Sequence, residues 1–443
     1  MEKAYIEQLN KIRNIPSNMV IYRNLLKDEI VRNYFLLVDE LCKDEPIHSK
    51  LLEIYYNFVS SLYDHYGLDS NACGDLWEHH LLNLIVTDEN LFSLACEKGK
   101  FSSIPFPIIE AVAHDLCSLY TIMNNGYVFL HNVLKDTTTL PFSPCLKLHP
   151  STNNTKPLKD ELFQCNDWYR TAGIIAAYYA QNGCGIFSKF KAFRWIKKGD
   201  SGFLSGISNP DPIRLHNLIG YERERKDIVQ NTLQFIHGYP ANNVLLYGDR
   251  GTGKSSTVKA LLNEYKSRGL RLIEVSKDHL SDLPAILNLI RNRGLKFIIF
   301  VDDLSFDGDE TQYRELKSIL EGSIEARPGN VLIYATSNRR HLIKEYFSER
   351  SSDDEIGSQD TLQEKLSLSD RFGITVTFLA PDQEKYLHIV EELARQRNLN
   401  IDTTTLRSMA LQWEMQHNGR TPRTAKQFID HLEGKMKLNN NAL

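Results

Sequence analysis

No apolar run in this chain approaches the roughly 20 residues that a membrane-crossing helix needs. The opening residues, Met1-Glu2-Lys3-Ala4-Tyr5, lack the apolar core of a secretory signal. A membrane role is therefore not expected. Cysteine is sparse: the seven are Cys42, Cys73, Cys96, Cys117, Cys145, Cys165 and Cys184, odd in number, scattered, and without a Cys-x-x-Cys pair. That pattern argues against a disulfide scaffold and fits reduced thiols in the cytosol. Cys73, His79, His80 and His114 match no familiar zinc spacing, so no metal site is expected among them. The formal net charge of −4 gives no global attraction to nucleic acid or lipid, and no internal repeat points to a solenoid. With 443 residues, the chain has room for two to three domains on a soft prior of about 150 each.

Against those absences stands one dense motif, Gly248-Asp249-Arg250-Gly251-Thr252-Gly253-Lys254-Ser255. It fits G-x-x-x-x-G-K-[ST], the phosphate-binding P-loop. An apolar strand-like run, Val244–Tyr247, precedes it. From Ser256 to Tyr265, Val258, Leu261, Leu262 and Tyr265 fall at helical spacing, and Gly269 stops the helix. Glycines let the backbone wrap an anion, so that successive N–H groups and a helix N-terminus face the phosphates. Lys254 is expected to reach the β- and γ-phosphates and the Ser255 hydroxyl to ligate Mg²⁺. The chain is expected to bind a nucleoside triphosphate.

Strands and helices then alternate, which predicts a parallel sheet covered on both faces. The five expected strands are Val244–Tyr247, Arg271–Val275, Phe297–Val301, Val331–Ala335 and Ile374–Phe378. Ligands in such sheets sit at the C-terminal strand ends. The third strand ends in Asp302-Asp303, an arrangement of Walker B type. Asp302 would hold Mg²⁺ and Asp303 would polarise the attacking water. Aspartate is one methylene shorter than glutamate, which makes alignment of that water harder and turnover slower. Asn338, after the fourth strand, would lie beside the γ-phosphate if that strand is inserted between the first and third; it could instead cap the next helix. Arg371, just before the fifth strand, suits a finger acting on a neighbouring subunit, although most surface arginines are simply solvated. Three helical stretches follow, Gln383–Arg397, Leu406–Gln416 and Pro422–Gly434. Arg423 stands at the N-terminus of the last, where it could meet phosphate.

Upstream, residues read mainly as helices, for example Leu51 to Tyr66, and the polar stretch 151–157 reads as a loop. The Gly/Ser/Pro-rich stretch from Gly199 to Pro212 reads as a linker. Between Ile186 and Lys198, aromatic and basic residues interleave. This fits either a single-strand nucleic-acid or peptide contact or, preferably, a neck helix packed on the ATPase core. The acidic stretch 349–360 reads as a solvated loop that could touch a partner.

The P-loop, Walker B pair, Asn338, Arg371 and a helical lid carrying Arg423 occur in the order seen in AAA+ ATPases. The resemblance covers roughly Leu215 to Gly434. Leu218-Ile219-Gly220-Tyr221 is similar to the family's segment lining the adenine pocket. "VDDLSF" and "SDRFG" resemble motifs of bacterial replication-initiator and helicase-loader ATPases. The strings "LLYGDRGTGKSS", "FVDDLSF", "YATSNRRHLI", "SLSDRFG", "GRTPRTAKQFI" and "KAFRW" resemble more closely the bacterial AAA+ family catalogued as domain of unknown function 815. The resemblance implies an α/β AAA+ P-loop NTPase core, with a five-stranded parallel sheet in order 5-1-4-3-2, a helical lid and a mainly helical N-terminal domain. The corresponding expected boundaries are 1–205, 206–380, 381–437 and a polar tail, 438–443. It implies ATP and Mg²⁺ as cofactors. Ile219, Gly220, the loop from Gly248 through Ser256, and Arg423 would hold nucleotide. Lys254, Asp303, Asn338 (sensor 1) and Arg371 (arginine finger) would act in hydrolysis, and Arg423 would be sensor 2. A homo-oligomer joined through Arg371 follows. The function implied is ATP hydrolysis coupled to remodelling of a protein or nucleic-acid target, or else a slow ATP-dependent switch or scaffold.

Overall fold

The computed structural model describes residues 3–66, 74–124, 126–137, 147–148, 161–162, 168–199, 201–304, 316–317, 320, 328–338, 371–417 and 419–441. The loop read at 151–157, the acidic stretch 349–360, Cys73, Cys145, Cys165, and the segments 305–306, 339–343 and 367–370 of the quoted motifs lie outside them. The chain divides into two compact units, Met1–Lys189 and Phe190–Leu443.

The first unit is mainly helical. His48–Tyr66 buries Leu51, Tyr55, Phe58, Val59 and Leu62, the spacing of one helical face. Its core joins Tyr34, Phe58 and Trp77, with the Tyr34 and Trp77 rings stacked at 4.5 Å between centroids. Glu29–Leu41 begins at Asp28, whose carboxylate caps the free N–H groups of Ile30 and Val31. The same Asp28 oxygen meets His80 Nε2 at 2.8 Å, and His80 Nδ1 lies 2.9 Å from the Tyr66 hydroxyl. His80 is thus committed to protein partners, and His114 lies beside Asp115 at 3.3 Å. Among the described residues no helix is long and apolar enough to cross a membrane.

The second unit is built on one sheet. Its strands are β1 (Ala192–Lys198), β2 (Ser201–Ile207), β3 (Val244–Gly248), β4 (Leu270–Glu274), β5 (Lys296–Val301), β6 (Val331–Ser337) and β7 (Ile374–Phe378). They lie side by side as β2-β1-β4-β5-β6-β3-β7. The sheet therefore has seven strands rather than the expected five, so its full order differs from the expected one, while the five expected strands keep the order 5-1-4-3-2 among themselves, as β7-β3-β6-β5-β4. An antiparallel hairpin, β1–β2, is added beyond β4, with β1 running parallel to it. The segment expected to be a neck helix is largely a strand, and much of the expected linker is its hairpin partner. Along β1, Phe193 and Trp195 are buried while Arg194 and Ile196 are exposed, an alternation of period two. Gly202 and Gly206 look like linker residues in the sequence, but their missing side chains have a packing reason. A Cβ on Gly202 would fall 2.0 Å from the Trp195 ring, and one on Gly206 would fall 2.1 Å from Phe190.

The parallel strands β3 to β6 are largely apolar and buried, as strands covered on both faces are, with Arg271 in β4 and Thr336 and Ser337 in β6 as buried polar exceptions. The helices that concern the site are α1 (Glu222–Ile236), α2 (Lys254–Tyr265), α3 (Leu283–Ile290), α4 (Gln383–Gln396), α5 (Thr403–Gln416) and α6 (Pro422–Asn441). Helices α4, α5 and α6 form their own small core around Tyr386, Ile389, Val390, Phe428 and Ile429, with Ile219 packed against it.

Candidate nucleotide-binding site

β3 ends in Gly248, and the loop that follows re-enters helix α2 at Lys254. Gly248 has φ +132°, and a Cβ there would lie 2.1 Å from the Phe378 carbonyl oxygen of β7. Only glycine lets the loop leave the sheet so close to its neighbour. Asp249 locks that departure: its N–H donates to Phe378 O at 2.9 Å, and its carboxylate accepts the Ala380 N–H at 2.6 Å.

A cleft of about 990 Å³ opens over this loop. Arg250 through Ser256, Asp302, Asp303 and Asn338 line it on the sheet side, and Leu218 and Ile219 come from the segment before α1. Ile389, Leu393, Arg423 and Lys426 come from the helical lid. Gly248, Asp249 and Gly220 are not among the lining residues; they shape the turns around it. Arg371 is not among them either. It is half-buried at the start of β7 and does not belong to its own chain's cleft.

Lys254 is buried, at 6 % exposed. Its ammonium donates to Gly248 O at 2.8 Å, Asp249 O at 2.7 Å and Asn338 Oδ1 at 3.1 Å. Burial pulls its pKa below the usual lysine range, opposed by the carboxylates of Asp249, Asp303 and Asp302. Beside it, the Ser255 hydroxyl donates to Asp302 Oδ1 at 2.6 Å. Asn338 Nδ2 donates to Asp303 Oδ1 at 2.6 Å, so one amide bridges Asp303 and Lys254. These contacts depend on β6 lying between β5 and β3, which brings the ends of all three strands together. Asn338 is the first residue past β6 and here meets two of the expected site residues.

Three features went unnoticed in the sequence. Thr336, two residues before Asn338 on the same face of β6, contacts both aspartates; period-two alternation could have revealed it. Arg225 of α1 is 8 % exposed, lines the cleft, and donates to the Leu218 carbonyl at 2.7 Å. Lys426 follows Arg423 by one turn of α6, so both cations face the cleft. The lid also touches the loop directly, through Arg423 N–H and Gly251 O at 3.2 Å.

The donor chemistry fits magnesium. Ser255 and Asp302 offer adjacent hard oxygens at the foot of a phosphate-sized cradle, and Mg²⁺ favours one or two protein oxygens completed by water and phosphate. Among the described residues no group of three or more His, Cys, Asp or Glu side chains forms an all-protein cage.

A family model described as "Protein of unknown function (DUF815)" matches residues 188–436. The chain belongs to the DUF815 family. The match begins just before β1, so the matched segment of this DUF815 chain includes the hairpin. Comparison with curated proteins finds no match. Among solved structures, the Thermotoga maritima RuvB Holliday junction branch migration motor is similar at 18 % identity, with a TM-score of 0.37 over 52 % of this chain and 67 % of that one. A single-site variant of that RuvB gives a TM-score of 0.38 at the same identity and coverage. Likeness at this level carries no functional argument, and the reading of the DUF815 site stands on its own residues.

Proposed function

We propose that this protein is a cytosolic AAA+ ATPase that binds MgATP in the cleft above Gly248–Ser256. The observation that carries the reading is the joined set Lys254, Ser255, Asp302, Asp303 and Asn338, linked by hydrogen bonds at three adjacent strand ends. Ile219 would line the base pocket and Gly220 would shape the turn that places it, and the preference for ATP over other triphosphates follows the family resemblance. Lys254 would exchange its loop carbonyls for β- and γ-phosphate oxygens, and backbone N–H groups of the loop would surround them. Ser255 and Asp302 would hold Mg²⁺, which when bound neutralises charge on those oxygens. Asp303, steadied by Asn338, would orient the attacking water. Arg423 would draw the lid, residues 381–437, onto the phosphates.

Arg371 would complete the site of a neighbouring copy, which makes the active form a homo-oligomer. Its absence from its own cleft supports that role. Hydrolysis would serve a conformational change or the remodelling of a protein or nucleic-acid target. A slow switch or scaffold is the second reading, and one observation favours it. Asp303 is one methylene shorter than glutamate and gives one carboxylate oxygen to Asn338 at 2.6 Å, which leaves a short-reaching second oxygen to align the water. Titration calorimetry with ATP and Mg²⁺, followed by steady-state hydrolysis over a range of protein concentration, tests the proposal. Measurable MgATP affinity with concentration-dependent turnover is expected. Absence of MgATP binding would overturn the proposal, and turnover as fast as a motor's at low protein concentration would eliminate the switch.

A further inference from the structure

Strand β5 ends in a tight turn that must aim two neighbouring carboxylates differently. The turn is held from the adjacent strand by one residue. Thr336 is 2 % exposed on β6. Its hydroxyl donates to Asp302 Oδ1 at 2.5 Å and accepts the backbone N–H of Asp303 at 3.0 Å. Its carbonyl accepts the N–H of Leu304 at 2.7 Å. Residues 302, 303 and 304 are therefore all gripped by Thr336. The Asp302 oxygen it holds is also the one that accepts the Ser255 hydroxyl at 2.6 Å.

Asp303 has φ +52°, in the left-handed region, where a non-glycine residue is strained. Such strain persists only when surrounding contacts over-determine it. The Thr336 hydroxyl supplies such a contact, because it captures the Asp303 N–H that this turn leaves outside the sheet ladder. The residue type suits the task. A hydroxyl can donate to one acid and accept from the next residue at once. Branching at Cβ restricts its rotation, so the hydroxyl is held where both partners need it.

We propose that Thr336 is a positioning residue for the hydrolytic step: it fixes Asp302 for the metal and Asp303 for the water through one hydroxyl. The inference rests on the ATP-hydrolysis reading given above. Thr336 does not touch the reacting atoms; it acts through the two acids. Partners that orient metal ligands typically contribute 10–100-fold to metal affinity or activity, and an effect of about that size is expected here.

The test compares the parent protein with Thr336→Val, which keeps the shape and removes the hydroxyl, and Thr336→Ser, which keeps the hydroxyl. Binding of a fluorescent N-methylanthraniloyl-ATP is measured in EDTA and across a MgCl₂ titration, and kcat and KM for ATP are measured separately. In EDTA all three should bind alike. Thr336→Val should need about 10–100-fold more Mg²⁺ for the same occupancy and lose kcat by a similar factor, with KM changing less. Thr336→Ser should resemble the parent. If melting shows that Thr336→Val is unfolded, Thr336→Ala takes its place with the same expectation. A valine variant with parental Mg²⁺ requirement and kcat overturns the role of Thr336 while leaving the ATPase reading intact. A serine variant as impaired as valine also overturns it, since the hydroxyl would then not be what matters. A parent protein that binds no nucleotide with Mg²⁺ overturns both.

Discussion

Replacing Lys254 by alanine separates binding from folding, and the structure sets the size of each effect. The ammonium has three acceptors, at 2.8, 2.7 and 3.1 Å; of these, Asn338 lines the cleft, as Lys254 itself does, while Gly248 and Asp249 do not. Hydrogen bonds to a charged group are worth about 1.5–3 kcal/mol each when the partner is left dry. Lys254 lines the cleft, so truncating it opens its space to the water there, and a total loss of roughly 1–3 kcal/mol is expected. For a unit of this size that lowers the melting temperature by roughly 2–4 °C per kcal/mol. Ligand acts in the other direction: MgATP at a hundred times its Kd adds about 2.7 kcal/mol of stability. Thermal melts of parent and variant, with and without MgATP, resolve the two. The variant should melt somewhat lower, keep a cooperative transition, and show no rise with MgATP. The pH dependence carries a further sign. Because burial lowers the folded pKa of Lys254, the folded state is penalised for carrying its proton below that pKa. Ligand-free stability attributable to Lys254 should therefore rise as pH climbs from the folded pKa toward the unfolded lysine value, while MgATP affinity falls across the same window. A variant stabilised by MgATP as much as the parent would refute the assignment of Lys254 to phosphate.

Three other outcomes are expected. Asp303→Asn should bind MgATP like the parent yet lose most hydrolysis, measured by phosphate release; parental turnover would remove Asp303 from the water-orienting role. Arg371→Ala should keep ATP affinity but lose hydrolysis by on the order of 10³–10⁵, and mixing it with Lys254→Ala should restore one working interface; an Arg371→Ala protein as active as the parent would make it a structural arginine. In the first unit, burial raises the Asp28 pKa but is outweighed by hydrogen bonds from His80, Val31 and Ile30, so its net shift is downward. The stability it contributes is present above the ordinary carboxylate pKa and lost as pH falls through its lowered value. Acid melts of Asp28→Asn should show a shallower loss than the parent, and an unchanged acid limb would contradict that.

The residues of the candidate cleft were legible because its parts are short-range signals. A glycine pattern, an apolar run closed by Asp302-Asp303, and a proline-led helix before Arg423 each declare themselves within a few residues. The five parallel strands were legible for a related reason: strands buried on both faces must be apolar throughout, and Phe297–Val301 or Val331–Ala335 can hardly be anything else. The hairpin was not. Ala192–Lys198 satisfies a helical period and a two-residue period at once, and the choice between them depends on β4 being there to pair with it. Gly202 and Gly206 read as flexible until the rings that occupy their side-chain space are known. Arg225 belongs to no motif, and Thr336 sits within YATSNRRHLI without a role that the string declares; their importance lies in which groups they hold. Lys254 was recognised for its chemistry, but its burial among its own loop carbonyls is a tertiary property.

The hairpin also decides where the chain can be cut. Trimming to residue 206, the expected start of the α/β core, would remove β1 and most of β2 and bare the edge of β4 at Leu272–Glu274. It would strip Glu274 of the Arg194 guanidinium at 2.8 Å and Asp282 of the Trp195 indole N–H at 2.9 Å. An uncovered parallel edge of that kind invites pairing with another molecule and aggregation. A soluble nucleotide-binding fragment should therefore begin at or before Phe190, so that the two strands upstream of the P-loop remain as the cover of the sheet.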